Sequence, residues 1–277
     1  GRFFARQALS GLPRGKLDLV GLHGQTIFHN PGKAPATLQI GEPAYLVESL
    51  RVPVVHNFRA ADLAAGGQGA PLATLFHQVV FGRPEMHVCV NNLGGISNVT
   101  SIDWRRGAAP HIRAFDTGPA NVLMDLAVRH FSDGKQQFDR NGAWARQGEV
   151  AEELLMNWLR HPFLLRKPPK STGREMFGEI FLESALKQMR SRTLSRFDAL
   201  ATLTEYTARS LVLNYRLHLA SWPDKVILAG GGAANPSLVE RIRRHLSLWN
   251  VRIGLVSSEE FGWPVQSIEP AAFALLA

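Results

Sequence analysis

A single cysteine, Cys89, stands among 277 residues. That scarcity excludes an internal disulfide framework and any Cys-x-x-Cys metal site, and it fits a reducing compartment. Long apolar runs are also missing. None reaches the roughly 18 residues a membrane-spanning helix needs, and no secretory pattern opens the chain. The expectation is a soluble, cytoplasmic protein with no membrane partner. Low-complexity tracts are absent and only 19% of residues are charged, so long disorder is not expected. Three common signatures are missing as well. Without GxxxxGK[ST] the chain is not a P-loop NTPase. The segment Gly230-Gly-Gly-Ala-Ala-Asn235 lacks the last glycine and the downstream acid of a dinucleotide fingerprint. No HExxH occurs and the histidines are dispersed, so a protein-bound metal is not expected.

What is present belongs to a folded chain. Hydrophobic residues make up 45%, enough for a sizeable core, and a prior of roughly 150 residues per domain suggests two domains or one large one. The net charge of +8 raises nucleic acid as a partner. Its densest clusters are Arg166-Lys167 with Lys170, Arg190/Arg192/Arg196 and Arg241/Arg243/Arg244. None is interleaved with aromatics, and no DNA- or RNA-binding signature accompanies them. They read as solvated helix faces, and a small anionic substrate such as a nucleotide accounts for the mild excess. No nucleic-acid partner is expected.

Strand-like runs alternate with helical patterns, which implies an α/β fold with at least partly parallel sheets. Leu17 to Leu22 leads as a short strand into His23-Gly-Gln-Thr26, and Ala36 to Ile40 and Val52 to Val55 are further extended segments. His87 to Asn92 and Ile96 to Ile102 flank Gly94-Gly95 as a hairpin. A strand His111 to Phe115 runs into Asp116-Thr-Gly-Pro-Ala-Asn121, followed by a helix with Val122, Leu123, Leu126 and Ala127 on one face. Helices dominate from Glu149 to Ala220, broken by a Pro-rich loop from His161 to Thr172. Lys225 to Ala229 forms a strand, Gly230 to Gly232 a turn, and Asn235-Pro236 the cap and first turn of a basic helix.

Three glycine-rich turns, at Gly94-Gly95, Gly118 and Gly230 to Gly232, therefore sit at strand ends. Open α/β sheets place ligands there, and glycine lets backbone approach a phosphate closely. Each also reads as an ordinary turn. Asp116 is the most prominent carboxylate. It ends a strand and stands just before a helix start, where N–H groups and the dipole favour an anion. It could accept a proton from a hydroxyl or water held within about 3 Å. A helix-capping aspartate fits the same pattern. Asp133 and Asp139 read as loop residues, and His23 and His29 as structural histidines flanking a Gln-Thr strand.

Six segments extend this reading: His23-Gly-Gln-Thr26, Ala64-Ala-Gly-Gly-Gln-Gly-Ala-Pro-Leu72, Asn92-Leu-Gly-Gly-Ile-Ser-Asn98, Phe115-Asp-Thr-Gly-Pro-Ala-Asn121, Pro168-Pro-Lys-Ser-Thr-Gly-Arg-Glu-Met-Phe177 and Gly230-Gly-Gly-Ala-Ala-Asn235. In this order and spacing they resemble the 1,6-anhydro-N-acetylmuramic acid kinases, a family of bacterial peptidoglycan-recycling enzymes. The resemblance implies an actin/hexokinase-like (ribonuclease H-like) ATPase fold, two α/β domains closing over a cleft. The first would comprise residues 1–84 with 269–277 returning to it, and the second residues 85–268. The implied activity is a phosphotransfer from ATP, with Mg²⁺, to the 6-oxygen of the anhydro sugar while water opens the 1,6-anhydro ring. Asp116 matches the catalytic base. Gly94, Gly95 and Asn98 match a phosphate-binding hairpin, and Gly230, Gly231, Gly232 and Asn235 an adenosine-binding turn. His23, Gln25, Thr26, Gln68, Gly118, Asn121, Arg174 and Glu175 fall in segments assigned to the sugar. A homodimer is implied.

The sequence departs from the family at three places. The family opens with a strand, a Gly-Thr-Ser turn and an Asp-Gly that hold the ATP phosphates, and no segment here matches them. It also continues past Glu269-Pro-Ala-Ala-Phe273. Asn57 stands where many relatives carry Asp; an amide hydrogen-bonds a hydroxyl but cannot act as a base. Besides the kinase, a non-catalytic sugar- or nucleotide-binding remnant of the same fold fits these residues, as does a kinase of another amino sugar.

Overall fold

The computed structural model describes residues 1–12, 16–105, 107–249 and 252–277. The chain divides into two units, residues 1–79 with 269–277 and residues 80–268.

The smaller unit begins with α1 (Arg2–Gly11), β1 (Val20–Leu22), β2 (Gln25–Asn30) and β3 (Ala36–Ile40). It continues through α2 (Ala44–Leu50), β4 (Val54–His56), α3 (Phe58–Ala64) and α4 (Thr74–Phe81), whose last turn belongs to the larger unit. β1 and β4 pair in parallel, Leu22 opposite His56, while β2 and β3 form an antiparallel hairpin. Ala5, Leu22 and Leu46 are the buried core of this unit, backed by Phe4, Val20, Leu50 and Val54. The closing helix, Ile268–Leu276, packs so closely on β1 that a Cβ at Gly21 would lie 2.5 Å from the Phe273 carbonyl oxygen.

The larger unit holds β5 (His87–Leu93), β6 (Ile96–Asp103), β7 (His111–Pro119), α5 (Asn121–Phe131), α6 (Glu152–Trp158), α7 (Pro162–Leu165), α8 (Glu179–Arg190), α9 (Arg196–His218), β8 (Lys225–Ala229), α10 (Pro236–Ser247) and β9 (Gly254–Ser257). Its sheet runs β7-β6-β5-β8-β9. β6 is antiparallel to both neighbours, whereas β5, β8 and β9 run parallel. One reversed strand beside the first in an otherwise parallel sheet is the ribonuclease H-like arrangement. β5 is the central strand, and its Val88, Cys89, Val90 and Leu93 are all buried, the near-continuous apolar run of a strand covered on both faces. Burial pushes the Cys89 thiol pKa far up, so this cysteine behaves as a small hydrophobe. Among the described residues no helix is long and apolar enough to cross a membrane.

α9 is the axis of this unit. Ser195 and Asp198 close a capping box at its start, each side chain bonding the other's backbone N–H. Leu200, Leu203, Tyr206, Leu211 and Tyr215 are buried along it. A helix enclosed on nearly all sides must satisfy its polar groups internally. Asn214 donates to the Thr117 carbonyl at 3.0 Å, Thr207 to the Ala120 carbonyl at 3.2 Å, and Tyr215 to Asn91 Oδ1 at 3.0 Å.

Glu205, fully buried on α9, collects three guanidinium groups and an imidazole. Arg209 (2.9 Å), Arg241 (2.7 Å), Arg244 (2.8 Å) and His245 all reach its carboxylate. Burial alone would raise the Glu205 pKa, but hydrogen bonds from His245, Arg241 and Arg209 hold it well below the usual carboxylate range. Arg241 is therefore engaged with an internal charge, which corrects its sequence reading as part of a solvated helix face, while Arg244 reaches the same carboxylate from an exposed position. Glu205→Gln is expected to cost about 3–5 kcal/mol by urea denaturation, because three guanidinium groups lose their anion. The linkage sign follows from the depressed pKa. Below about pH 4.5 the unfolded glutamate takes up protons first, so the native protein loses stability as pH falls and the variant loses less of it.

Candidate active site

The site starts from an irregularity in β7. Opposite β6, Ser97 faces Gly118 while Asn98 faces Asp116, so Thr117 is an extra residue. Such a bulge re-aims the side chains beside it. Thr117 Oγ1 donates to Ser97 Oγ at 2.6 Å, and its displaced carbonyl takes the Asn214 bond. Asp116, 5% exposed, then stands in one cross-strand row with Asn98 and, opposite Asn98, Asn92 on β5. Its backbone N–H donates to the Lys170 carbonyl at 3.1 Å, and its Oδ2 accepts the Thr172 N–H at 2.8 Å. Asp116 is not a helix cap. β7 runs on to Pro119 and the α5 cap position is Ala120; the N–H near its carboxylate comes from a loop instead.

Nor is the α5 N-terminus open to an anion at its first turn. The Gly95 carbonyl accepts the Ala120 and Val122 N–H groups at 2.9 and 3.1 Å, and the Gly94 carbonyl accepts that of Asn121 at 3.0 Å. The β5–β6 turn thus fixes α5 beside Asp116. The glycines themselves divide into two kinds. Gly230 has φ +77°, and a Cβ there would lie 2.3 Å from Asn92 Oδ1; one at Gly232 would lie 2.7 Å from Leu93 Cβ. Packing within the chain demands both. Gly118, at φ +124° and with a Cβ position 2.9 Å from Leu164, is likewise a packing glycine. At Gly94, Gly95 and Gly231 the nearest atoms to a Cβ stand at 3.6, 3.9 and 3.8 Å, so a Cβ there would make ordinary contacts only.

Gly231 opens on a cavity of about 360 Å³ lined also by Asn121, Asp125, Phe138, Asn141 and Asn235. Asn235 caps α10, its Oδ1 accepting the Ser237 and Leu238 N–H groups. Asn121 Nδ2 donates to the Leu93 carbonyl at 2.9 Å. Burial raises the Asp125 pKa to about 6, offset in part by the positive charges of Arg129 and Arg174. Arg174 thereby stands near α5, exposed, with Glu175 exposed beside it. Asp125 and Phe138 lie outside the quoted motifs, and Asn92 lies within one of them with no role of its own given to it.

The smaller unit gathers its own polar cluster beyond the ends of β1 and β4. Arg59 Nε donates to His23 Nε2 at 2.8 Å, and His23 Nδ1 is 2.8 Å from the Gly24 carbonyl, which fixes the neutral Nδ1–H tautomer. Burial, then Arg59, lowers the His23 pKa. Arg59 Nη1 also donates to the Gly69 carbonyl, the Gly69 N–H to Asp62 Oδ2 (both 2.6 Å), and His29 Nε2 lies 3.0 Å from the Gln68 carbonyl. The 64–72 loop is thus clamped with the Gln68 side chain half-buried. Thr26 Oγ1 accepts from Gln39 at 3.3 Å, whereas Gln25 is exposed and bonds only locally. Asn57 sits in the left-handed region, φ 61°, at the start of α3, a conformation that asparagine tolerates.

A family model described as anhydro-N-acetylmuramic acid kinase matches residues 3–277. A relative of that name from Acaryochloris marina is 44% identical over 265 residues, covering 94% of this chain and 69% of its own length. Another from Synechocystis sp. is 43% identical over 281 residues, covering 99% and 71%. One from Bacillus cereus is 41% identical over 268 residues, covering 95% and 68%.

The two kinds of glycine are separable in a denaturation experiment. Gly230→Ala forces a Cβ into the left-handed region against Asn92 and is expected to destabilise the fold by about 1–3 kcal/mol. Gly94→Ala meets no obstacle and is expected to shift urea-unfolding stability by no more than about 0.5 kcal/mol.

Proposed function

The chain belongs to the anhydro-N-acetylmuramic acid kinase family, and from that membership we propose an ATP-dependent conversion of 1,6-anhydro-N-acetylmuramic acid to N-acetylmuramic acid 6-phosphate in peptidoglycan recycling. Water attacks the anomeric carbon, the bond from that carbon to O6 breaks, and O6 takes the γ-phosphoryl group as ADP leaves. The proton lost by the water goes to the Asp116 carboxylate, acting as general base. The observation that supports this assignment most is the bulge at Thr117. It sets a buried carboxylate at the sheet end, beside a turn whose glycines answer to no packing need.

Gly94, Gly95 and Asn98 are assigned to the ATP phosphates, and Gly230, Gly231, Gly232 and Asn235 to the adenosine side. Space that a Cβ would fill at 94, 95 and 231 suits a backbone that must approach a phosphate or ribose closely. Gly230, Gly232 and Asn235 act by shaping the turn, on this reading, rather than by touching the nucleotide. Mg²⁺ accompanies the nucleotide and would be held largely by its phosphates, as is usual for an ion that binds few protein carboxylates; it would neutralise charge on the transferring group. His23, Gln25, Thr26 and Gln68 are assigned to the sugar, with Arg174, Glu175 and Asn121; Gly118 supports that set by packing. A cytoplasmic homodimer completes the proposal, and sedimentation analysis tests its oligomeric state.

Asp116→Asn removes the base and almost no volume. In the full-length enzyme it is expected to lower kcat by about 10² to 10⁴ while leaving ATP and sugar affinity by calorimetry largely intact. Near-normal turnover would end the assignment; wild-type protein that binds both ligands without turning them over would favour the non-catalytic reading. Gly94→Ala, silent in stability, is expected to weaken ATP binding. For Arg174, the muramic lactyl carboxylate is the natural partner, because a guanidinium grips a carboxylate through two parallel hydrogen bonds. Arg174→Ala is expected to weaken binding of the anhydromuramic sugar far more than that of an analogue without the lactyl group. Equal weakening of both would return this arginine to the surface.

A further inference from the structure

Lys170 is a lysine buried to 2% exposure one loop away from Asp116. Its Nζ donates to the carbonyls of Phe163 (3.0 Å) and Leu164 (3.1 Å) in α7, and it lies 3.4 Å from His218 Nε2 on α9. The same nitrogen stands 4.8 Å from the centre of the Phe163 ring. Burial and the nearby Arg166 pull its pKa down to about 8, with Asp116 pulling the other way; His218, whose own pKa is lowered by burial, is the other titratable group against it. Burying an ammonium group is costly unless its hydrogen bonds are made. A methionine of the same length would fill this space without that cost, so the charge has a directional use. It pins the loop at one point, and the backbone of the pinned segment then holds Asp116 twice: the Lys170 carbonyl takes the Asp116 N–H, and the Thr172 N–H bonds Oδ2.

We propose that Lys170 is a positioning residue, which fixes the 166–173 loop on α7 so that the Asp116 carboxylate is held in the orientation that proton abstraction requires. The inference rests on reading Asp116 as the base. It adds to that reading a lysine that touches neither substrate and acts through the loop backbone.

The test is steady-state kinetics on the full-length enzyme. Lys170→Met is expected to lower kcat by about 10- to 100-fold, the scale of a small misplacement of a catalytic group, with both KM values little changed. The acid limb of kcat against pH should move to higher pH, because the Asp116 carboxylate loses a neighbouring cation. Lys170→Arg keeps the charge and should recover most of the rate. In an Asp116→Asn background the same lysine substitution should add nothing, since both changes act through one group. A folded Lys170→Met enzyme with wild-type kcat, or one whose loss is equally large in the Asp116→Asn background, overturns the proposal. If Lys170→Met gives no cooperative thermal transition, Thr172→Pro deletes the N–H that bonds Asp116 and leaves the lysine in place. It must then show the same kcat loss, and wild-type kinetics there overturn the proposal equally. Normal turnover by Asp116→Asn alone would remove the base assignment and this inference with it, so the two failures are told apart by that first variant.

Discussion

The bond from Asn214 to the Thr117 carbonyl joins the core of the larger unit to its chemistry. A bulge in the edge strand β7 leaves a buried carbonyl outside the ladder, and leaving it unpaired in the interior would cost about 1–3 kcal/mol. Asn214 meets it from α9 and shares its amide with the Ser210 carbonyl one turn back, at 2.8 Å. Without that partner the strand would be driven back into regular register, and a one-residue slip turns each side chain to the opposite face. Asp116 would then leave the row it forms with Asn98 and Asn92. The helix that supports the carboxylate is itself tied by side-chain hydrogen bonds to β5, β7 and the α5 cap.

The same helix explains where the positive charge goes. A surplus of basic residues in a chain of this size suggests a field directed outward. Here Arg241 turns inward to Glu205, Arg244 reaches it from an exposed position, and Arg209 bridges it to Glu152 through a further pair of hydrogen bonds. Elsewhere Arg196 stacks over Trp144 and Phe197 at 4.7 and 4.8 Å. One carboxylate offsets only one of the charges gathered on it, and an arginine stacked on an aromatic ring keeps its full charge, so the net charge of +8 stands.

Much of this was legible in the residues, and what was not has physical causes. The β5–β6 hairpin, β8 and the α5 and α10 starts announce themselves through glycine turns, apolar runs and an Asn-Pro cap, all of them local signals. β9, four residues long, and α7, also four, lie below the length at which periodicity means anything. Asp116 could be found as a carboxylate at a strand end, but its environment could not. Strand and helix patterns meet there, so a helix cap was the natural local reading; the actual donor, Thr172, is fifty-six residues away in sequence. Asn92 and Lys170 were within quoted motifs, yet a motif does not say which of its residues is buried.

Glycine shows most plainly what a sequence can and cannot say. Gly94, Gly230 and Gly232 look alike in the chain, each in a short run at the end of a strand. Around Gly230 and Gly232 the structure leaves no room, and the neighbours that exclude a side chain, Asn92 and Leu93, come from a different strand. Around Gly94 it leaves room that the chain does not use. A residue demanded by packing would be kept by any protein with this fold, whatever it binds; one that packing leaves optional is informative only through a partner outside the chain. The two can be separated only with both strands in view, and it is the optional glycines, not the strained ones, that bear on the ligand.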